Sequence, residues 1–325
     1  MLTRRDVLRT GVMAGCAVLL DKDRPALAAV PQPRTKVNFD VPPGACDCHV
    51  HVFGDPKRYP FFSGRTYSPE PASVEDLQQF LSVLRLERVV IVQPSVYGTD
   101  NSCTIDGMRQ LGGRARGVAV IDDKTSDAEL DAMGKAGIRG LRLNLATAGI
   151  TDPAVARQRF AAGVKRAQSR NWHIQFNTQP SILEALSEQL LASPVPLVID
   201  HFGGATAKGG VQQPGFGALV NLVKSGKAYV KISGAADSVS TQPDLADVAP
   251  LATALVAANP QRILWGTNWP HPSSTPPAGR KPTDLAVHVQ IDDGKVLNML
   301  PVWVPDAATR RLILADNPAR LYGWT

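Results

Sequence analysis

Eight short runs rich in Val, Ile and Leu recur along the chain, at 45–51, 88–93, 115–121, 138–144, 172–177, 197–201, 228–233 and 262–267. Between them lie stretches with helical spacing of apolar residues, such as "SVEDLQQFLSVL", "SDAELDAMGKA" and "DPAVARQRFAAGVKRAQSR". Near-continuous apolar runs suit parallel strands covered on both faces, and parallel neighbours need a crossover, usually a helix. Eight such units predict an α/β fold, a (β/α)8 TIM barrel, in a single domain over 45–325. The rival is a doubly wound open sheet. That fold usually binds nucleotides through a glycine-rich loop after its first strand. Here the first run ends in "CDCHVH" instead.

A barrel collects its functional residues at the C-terminal ends of its strands. Those ends carry His49 and His51, Gln93 and then Tyr97, Arg142, Gln175, Asp200 and His201, Lys231, and Asn268 followed by His271. Five of the six histidines fall at or near the strands, with His173 deep enough in its run to be a core residue. Alternate residues of a strand share a face. Asp47, His49 and His51 are therefore expected to point one way, and Cys46, Cys48 and Val50 the other way, as a packing face. An inward arginine at a barrel mouth calls for a partner such as a carboxylate. Arg142 is thus a candidate substrate ligand, together with Gln93, Tyr97, Gln175, Lys231 and His271.

The segment before the barrel reads as an address. "TRRDVLRTGVMAGCAVLL" sets Arg4-Arg5 before an apolar run too short to span a bilayer comfortably, and Ala26-Leu27-Ala28 suits a cleavage site. Residues 1–28 are expected to be a twin-arginine-type signal, with the export machinery as partner and the periplasm as destination. Residues 29–44 read as an extended Pro-rich linker. The formal charge is +6, with no basic stripe interleaved with aromatics, which argues against nucleic acid. Of four cysteines, one lies in the leader and Cys46 and Cys48 sit two apart, so no disulfide framework is expected. No oligomeric state follows from the sequence.

"CDCHVH", "VIDHFGG" and "WGTNWPHP", in that order on a barrel pattern, resemble the amidohydrolase superfamily. The likeness is strongest to its branch of 2-pyrone-4,6-dicarboxylate lactonases and sugar lactonases. The resemblance implies a hydrolase that opens a small acidic or sugar-derived lactone. His49, His51 and His201 would polarise the ester carbonyl, Asn268 would orient the nucleophile and Arg142 would hold a carboxylate. In the wider superfamily such histidines, with an aspartate on strand eight, hold a divalent metal, often zinc. Any ion here would fall to His49, His51 and His201, although the lactonase branch implies that no cofactor is required. Asn268 departs from the pattern, because a carboxamide cannot take a proton near neutral pH. Galactarolactone isomerases resemble the chain in carrying Asn there, and in them a substrate hydroxyl attacks the lactone. A lactone isomerase, a metal-dependent decarboxylase and a non-catalytic sugar-acid binder are the alternatives, and His271 is a second candidate base.

Overall fold

In the computed structural model, residues 30–274 and 279–324 are described, and the segment expected to be a twin-arginine-type signal lies outside them. All eight expected strands form: β1 (Cys46–Val50), β2 (Arg88–Val92), β3 (Ala115–Ala119), β4 (Ile138–Asn144), β5 (His173–Asn177), β6 (Leu197–Ile199), β7 (Ala228–Ile232) and β8 (Ile263–Trp265). They pair in parallel in chain order, which makes the fold a TIM barrel. Closure comes from the chain just beyond β8. Asn268 N donates to His49 O at 2.9 Å and His51 N to Trp269 O at 2.8 Å. The Asp47 carboxylate staples the same seam, accepting from the Thr267 hydroxyl at 2.6 Å. Burial pushes that carboxyl up to about 7, against the hydrogen bonds of Thr267 and His49.

The helices begin where the sequence signals them. Ser73 and Asp76 form a capping box on Val74–Val83, and Ser126 and Glu129 form one on Asp127–Ala136. Each box satisfies two orphan N–H groups at the helix start. Among the described residues no helix is long and apolar enough to cross a membrane. Residues 30–44 hold no helix or strand, yet they are tied to the barrel. Arg34 and Thr35 donate backbone N–H groups to Asp292, and the Trp269 indole donates to Pro31 O. Gly294 sits under this strap, where a Cβ would stand 1.9 Å from Thr35 O.

The expected alternation on β1 fails by one residue. Asp47 is paired with Val89 but Val50 with Ile91, so β1 carries one extra residue between them. Such a bulge re-aims the side chains beyond it. Cys46 and Cys48 join Val90, Val92, Val118, Val198 and Leu264 in one inner cluster, closed by Tyr322, whereas Val50 joins the outer core under the helices. His49 and His51 still enter the barrel, and Asp47 is drawn off to the seam. Cys46, Cys48 and Cys103 are all free thiols. His173 is buried edge-on to the Tyr322 ring.

Candidate active site

Above the apolar layer the barrel interior turns polar, and its groups must satisfy one another because leaving them unpaired out of water is costly. The hub is Asp200, which directly follows the short β6. Its Oδ1 lies 3.2 Å from His49 Nδ1 and 3.2 Å from Lys231 Nζ. Its Oδ2 accepts from Gln175 Nε2 at 3.0 Å and from Arg142 at 3.5 Å. Lys231 also donates to Gln175 Oε1 at 2.8 Å. Burial alone would raise the Asp200 carboxyl, but Lys231, His49 and Arg142 outweigh it and hold it well below the usual range. Burial pulls the Lys231 ammonium down, against the attraction of Asp200.

The histidines stand around this hub as neutral rings. Burial holds His49 well below its ordinary value and, with Arg142 nearby, brings His51 down to about 3; His201 is lowered mainly by burial as well. The His49 ring is 5.1 Å from that of His51 and 4.5 Å from that of His201. His51 Nδ1 faces the Val92 carbonyl at 2.8 Å, an acceptor only, so this nitrogen carries the proton. His49 Nδ1 lies 3.2 Å from Asp200 Oδ1 and 3.4 Å from the Lys231 ammonium, and the carboxylate, nearer and an acceptor only, places the proton on Nδ1. Each Nε2 is then left with a lone pair, and that of His49 is buried without a partner. His201 Nδ1 pairs with Ser233 Oγ at 3.0 Å. His201, Asn268 and His271 all hold positive φ. Left-handed backbone at residues other than glycine costs on the order of 1–3 kcal/mol each and gathers at functional sites.

The other expected ligands take positions behind this cluster. Gln93 spends its amide on Asp100 O and its carbonyl on the Thr104 hydroxyl, so it braces the loop after β2. The buried Tyr97 hydroxyl accepts from Gly54 N. Gln175 and Lys231 hold Asp200 in place of the expected contact with substrate. His271 is fully enclosed between two carboxylates, Nδ1 to Asp237 at 3.1 Å and Nε2 to Asp293 at 2.8 Å. Burial alone would lower it, but Asp293 and Asp237 raise it to about 10. A charged ring with both nitrogens donating cannot serve as a base. Arg142 is different. It lines a cavity of about 1130 Å³ that runs from the strand ends, beside Ser95, Gly98, Asn144 and Thr147, out along the flank of the helix Pro153–Ala167 at Arg159 and Arg166, and its Nε is buried without a partner. The cavity wall includes none of the three histidines, so Arg142 is where it meets the cluster.

Two carboxylates take roles that the sequence does not assign. Asp200 was visible at a strand end, but its role depends on four partners from four other strands. Asp237 lies on the short helical turn Ala235–Val239 after β7, in a loop with no periodicity to read. It accepts from Asn268 Nδ2 at 2.8 Å.

Ligand atoms of His49, Asp200 and His201 lie within 4.8 Å of one another, a spacing that could bracket a metal ion. Asp200 thus takes the place expected of His51. Its oxygens, however, already serve Lys231, Gln175, His49 and Arg142. A dication arriving between His49, Asp200 and His201 would meet the fixed cations Lys231 and Arg142 on the Asp200 carboxylate, with a neutral amide at Asn268 and with Asp237 already shared between Asn268 and His271. This donor set does not fit a tightly held dication.

Residues 46–324 match the family model described as amidohydrolase. The chain is 34% identical to a 4-sulfomuconolactone hydrolase of Hydrogenophaga intermedia over 88% of this chain and 91% of that one. It is 28% identical to a D-galactarolactone isomerase of Agrobacterium fabrum, over 89% and 94% respectively. The crystal structure of a probable 2-pyrone-4,6-dicarboxylic acid hydrolase from Acinetobacter baumannii, with citric acid bound, superposes with a TM-score of 0.70 at 26% identity. That match covers 86% of this chain and 99% of that one.

Proposed function

The chain belongs to the amidohydrolase family, and from that premise we propose that it hydrolyses a small anionic lactone. The observation that carries this reading is the cationic wall around the neutral histidines. Arg142 and Lys231 outnumber the one carboxylate, Asp200, that pairs with them, and Asp237 on the far side of His201 is matched by the His271 cation. Such a site attracts an anion and disfavours a dication. Arg142, with a free Nε and a face on the cavity, grips the acidic group of the substrate. The ester carbonyl lies over His201, whose Nδ1 takes the Ser233 hydroxyl proton and whose Nε2–H then faces the developing oxyanion. The lone pair of His49 Nε2 accepts from a substrate hydroxyl or from water. Asn268 presents its Oδ1 to the nucleophile, because Asp237 can only accept and so fixes Nδ2 on its own side. The reaction runs on protein groups, with no metal required.

Incubation with 2-pyrone-4,6-dicarboxylate, 4-sulfomuconolactone and D-galactarolactone, followed by titration of released acid and NMR of the product, tests the reading. Net acid from any of them supports it. A rearranged lactone without net acid favours isomerisation, the reading that Asn268 also suits. Binding without turnover overturns both. We also propose that Arg4-Arg5 directs export to the periplasm. Changing both to Lys keeps the charge but removes the guanidinium forks, and is expected to leave the protein in the cytoplasm on cell fractionation; unchanged periplasmic amounts would refute that route.

A further inference from the structure

The reaction needs a base, and the strand-eight position offers an amide. We propose that Asp237, on the loop after β7, is the general base of this site, one hydrogen bond away from Asn268. The inference rests on the hydrolase reading.

The geometry leaves one oxygen of Asp237 available. Asn268 Nδ2 and His271 Nδ1 both donate to Oδ2, at 2.8 and 3.1 Å. Near Oδ1 stands Ser238 Oγ, at 3.1 Å. A hydroxyl has one hydrogen to give, and Ser238 Oγ also faces the Gly234 carbonyl, closer, at 2.9 Å. The carbonyl is the nearer acceptor, and even a hydrogen shared with Oδ1 leaves that oxygen a free lone pair. A Cβ on Gly234 would stand 2.9 Å from Asp237 Oδ1 and 2.9 Å from His201 Nδ1. Both contacts are too close for a side chain, so the glycine is what lets the Asp237 carboxylate come up close to the His201 ring. The Asp237 side chain is 11% exposed, enough for water to reach it. Asp200, the rival carboxylate, is wholly buried with both oxygens engaged.

Burial alone would raise the Asp237 carboxyl, but His271, His201 and Asn268 bring it to about 2. It is ionised when substrate arrives. A bound anion beside it then favours its protonated form, which strengthens it as a base during the reaction. In the step itself, a water O–H bond breaks and its proton passes to Asp237 Oδ1. The water oxygen bonds to the lactone carbonyl carbon while the carbonyl π pair moves onto oxygen. When the carbonyl re-forms, the ring C–O bond breaks and the leaving oxygen takes the proton from Asp237. The product is a hydroxy acid, which ionises and releases one proton to solvent.

The test uses the full enzyme and the best-accepted of the three lactones. A positioned general base contributes about 10²–10⁴-fold, so Asp237→Asn is expected to lower kcat at least about 100-fold with KM changed less than about threefold. Asp237→Ala is expected to regain at least about tenfold with added sodium formate, which supplies the missing carboxylate. The swap Asp237→Asn with Asn268→Asp keeps the hydrogen bond between the two positions and moves the acid to strand eight; it is expected to exceed Asp237→Asn at least about tenfold. Circular dichroism checks that each variant is folded. An Asp237→Asn enzyme within about threefold of wild-type kcat overturns the inference, as does a loss that neither formate nor the swap restores. If the wild type itself releases no acid from any lactone, the hydrolase reading falls and this inference with it.

Discussion

Lys231 Nζ lies 3.2 Å from Asp200 Oδ1, and neither side chain is exposed. Removing one partner of a buried ion pair leaves the other charge uncompensated and costs about 3–5 kcal/mol. Arg142, at 3.5 Å from the other Asp200 oxygen, retains part of the compensation. Lys231→Met is therefore expected to lose about 3 kcal/mol, the low end of that range, in urea unfolding. A loss below about 1 kcal/mol would show that Lys231 does not neutralise Asp200.

Arg142 is expected to set the preference for anionic substrates. A hydrogen bond to a charged group is worth about 1.5–3 kcal/mol, or roughly 10–100-fold in binding. Arg142→Met should raise KM for a carboxylated lactone by about that factor and leave a neutral lactone nearly unchanged. Equal effects on both substrates would place the acidic group elsewhere.

The donor set around Asp200 predicts a metal-independent enzyme. Purified protein is expected to contain far less than one divalent ion per chain by elemental analysis, and to keep its activity after dialysis against a chelator. One tightly bound ion per chain, with activity lost on its removal, would reverse the charge argument made for Lys231 and Arg142.

Stability should peak close to neutral pH. The folded value of His271 is about 10 against an ordinary 6.5, so its contribution is complete below about 6.5 and is lost as pH rises through about 10. His51 and His173 are each lowered to about 3, chiefly by burial. As pH falls from about 6.5 towards 3, the unfolded chain takes up these protons and the folded chain does not, so stability falls on that side too. Asp47, held near 7 by burial, binds its proton in the folded state first and offsets one histidine. His49 and His201, lowered as well, keep the acid slope positive. Urea unfolding at pH 4.5, 6.5 and 9 should show the maximum at the middle value, and His271→Gln should flatten the alkaline side. Equal stability at 6.5 and 9 would mean that His271 is not charged between its two carboxylates.

The sequence by itself determined the barrel and the ring of residues at its mouth. Parallel strands buried on both faces must be apolar throughout, so they announce themselves one by one, and each places its last residues at the same end. His49, His51, Arg142, Gln175, His201 and Lys231 were legible for that reason. Only the tertiary structure decided what these residues touch. The extra residue in β1 moved Asp47 to the seam and Cys46 and Cys48 inward, because a bulge depends on pairing with β2 and leaves no mark on the composition. Asp200 became a hub because closing the barrel brings β1, β4, β5 and β7 within hydrogen-bond reach of the end of β6. His271, a candidate ligand and base by sequence, is instead a buried cation, since Asp237 and Asp293 reach it from segments 34 and 22 residues away. The Asp237 carboxylate sits beside Asn268 for the same reason: loop residues obey no period, and their partners are chosen by the shape of the folded chain.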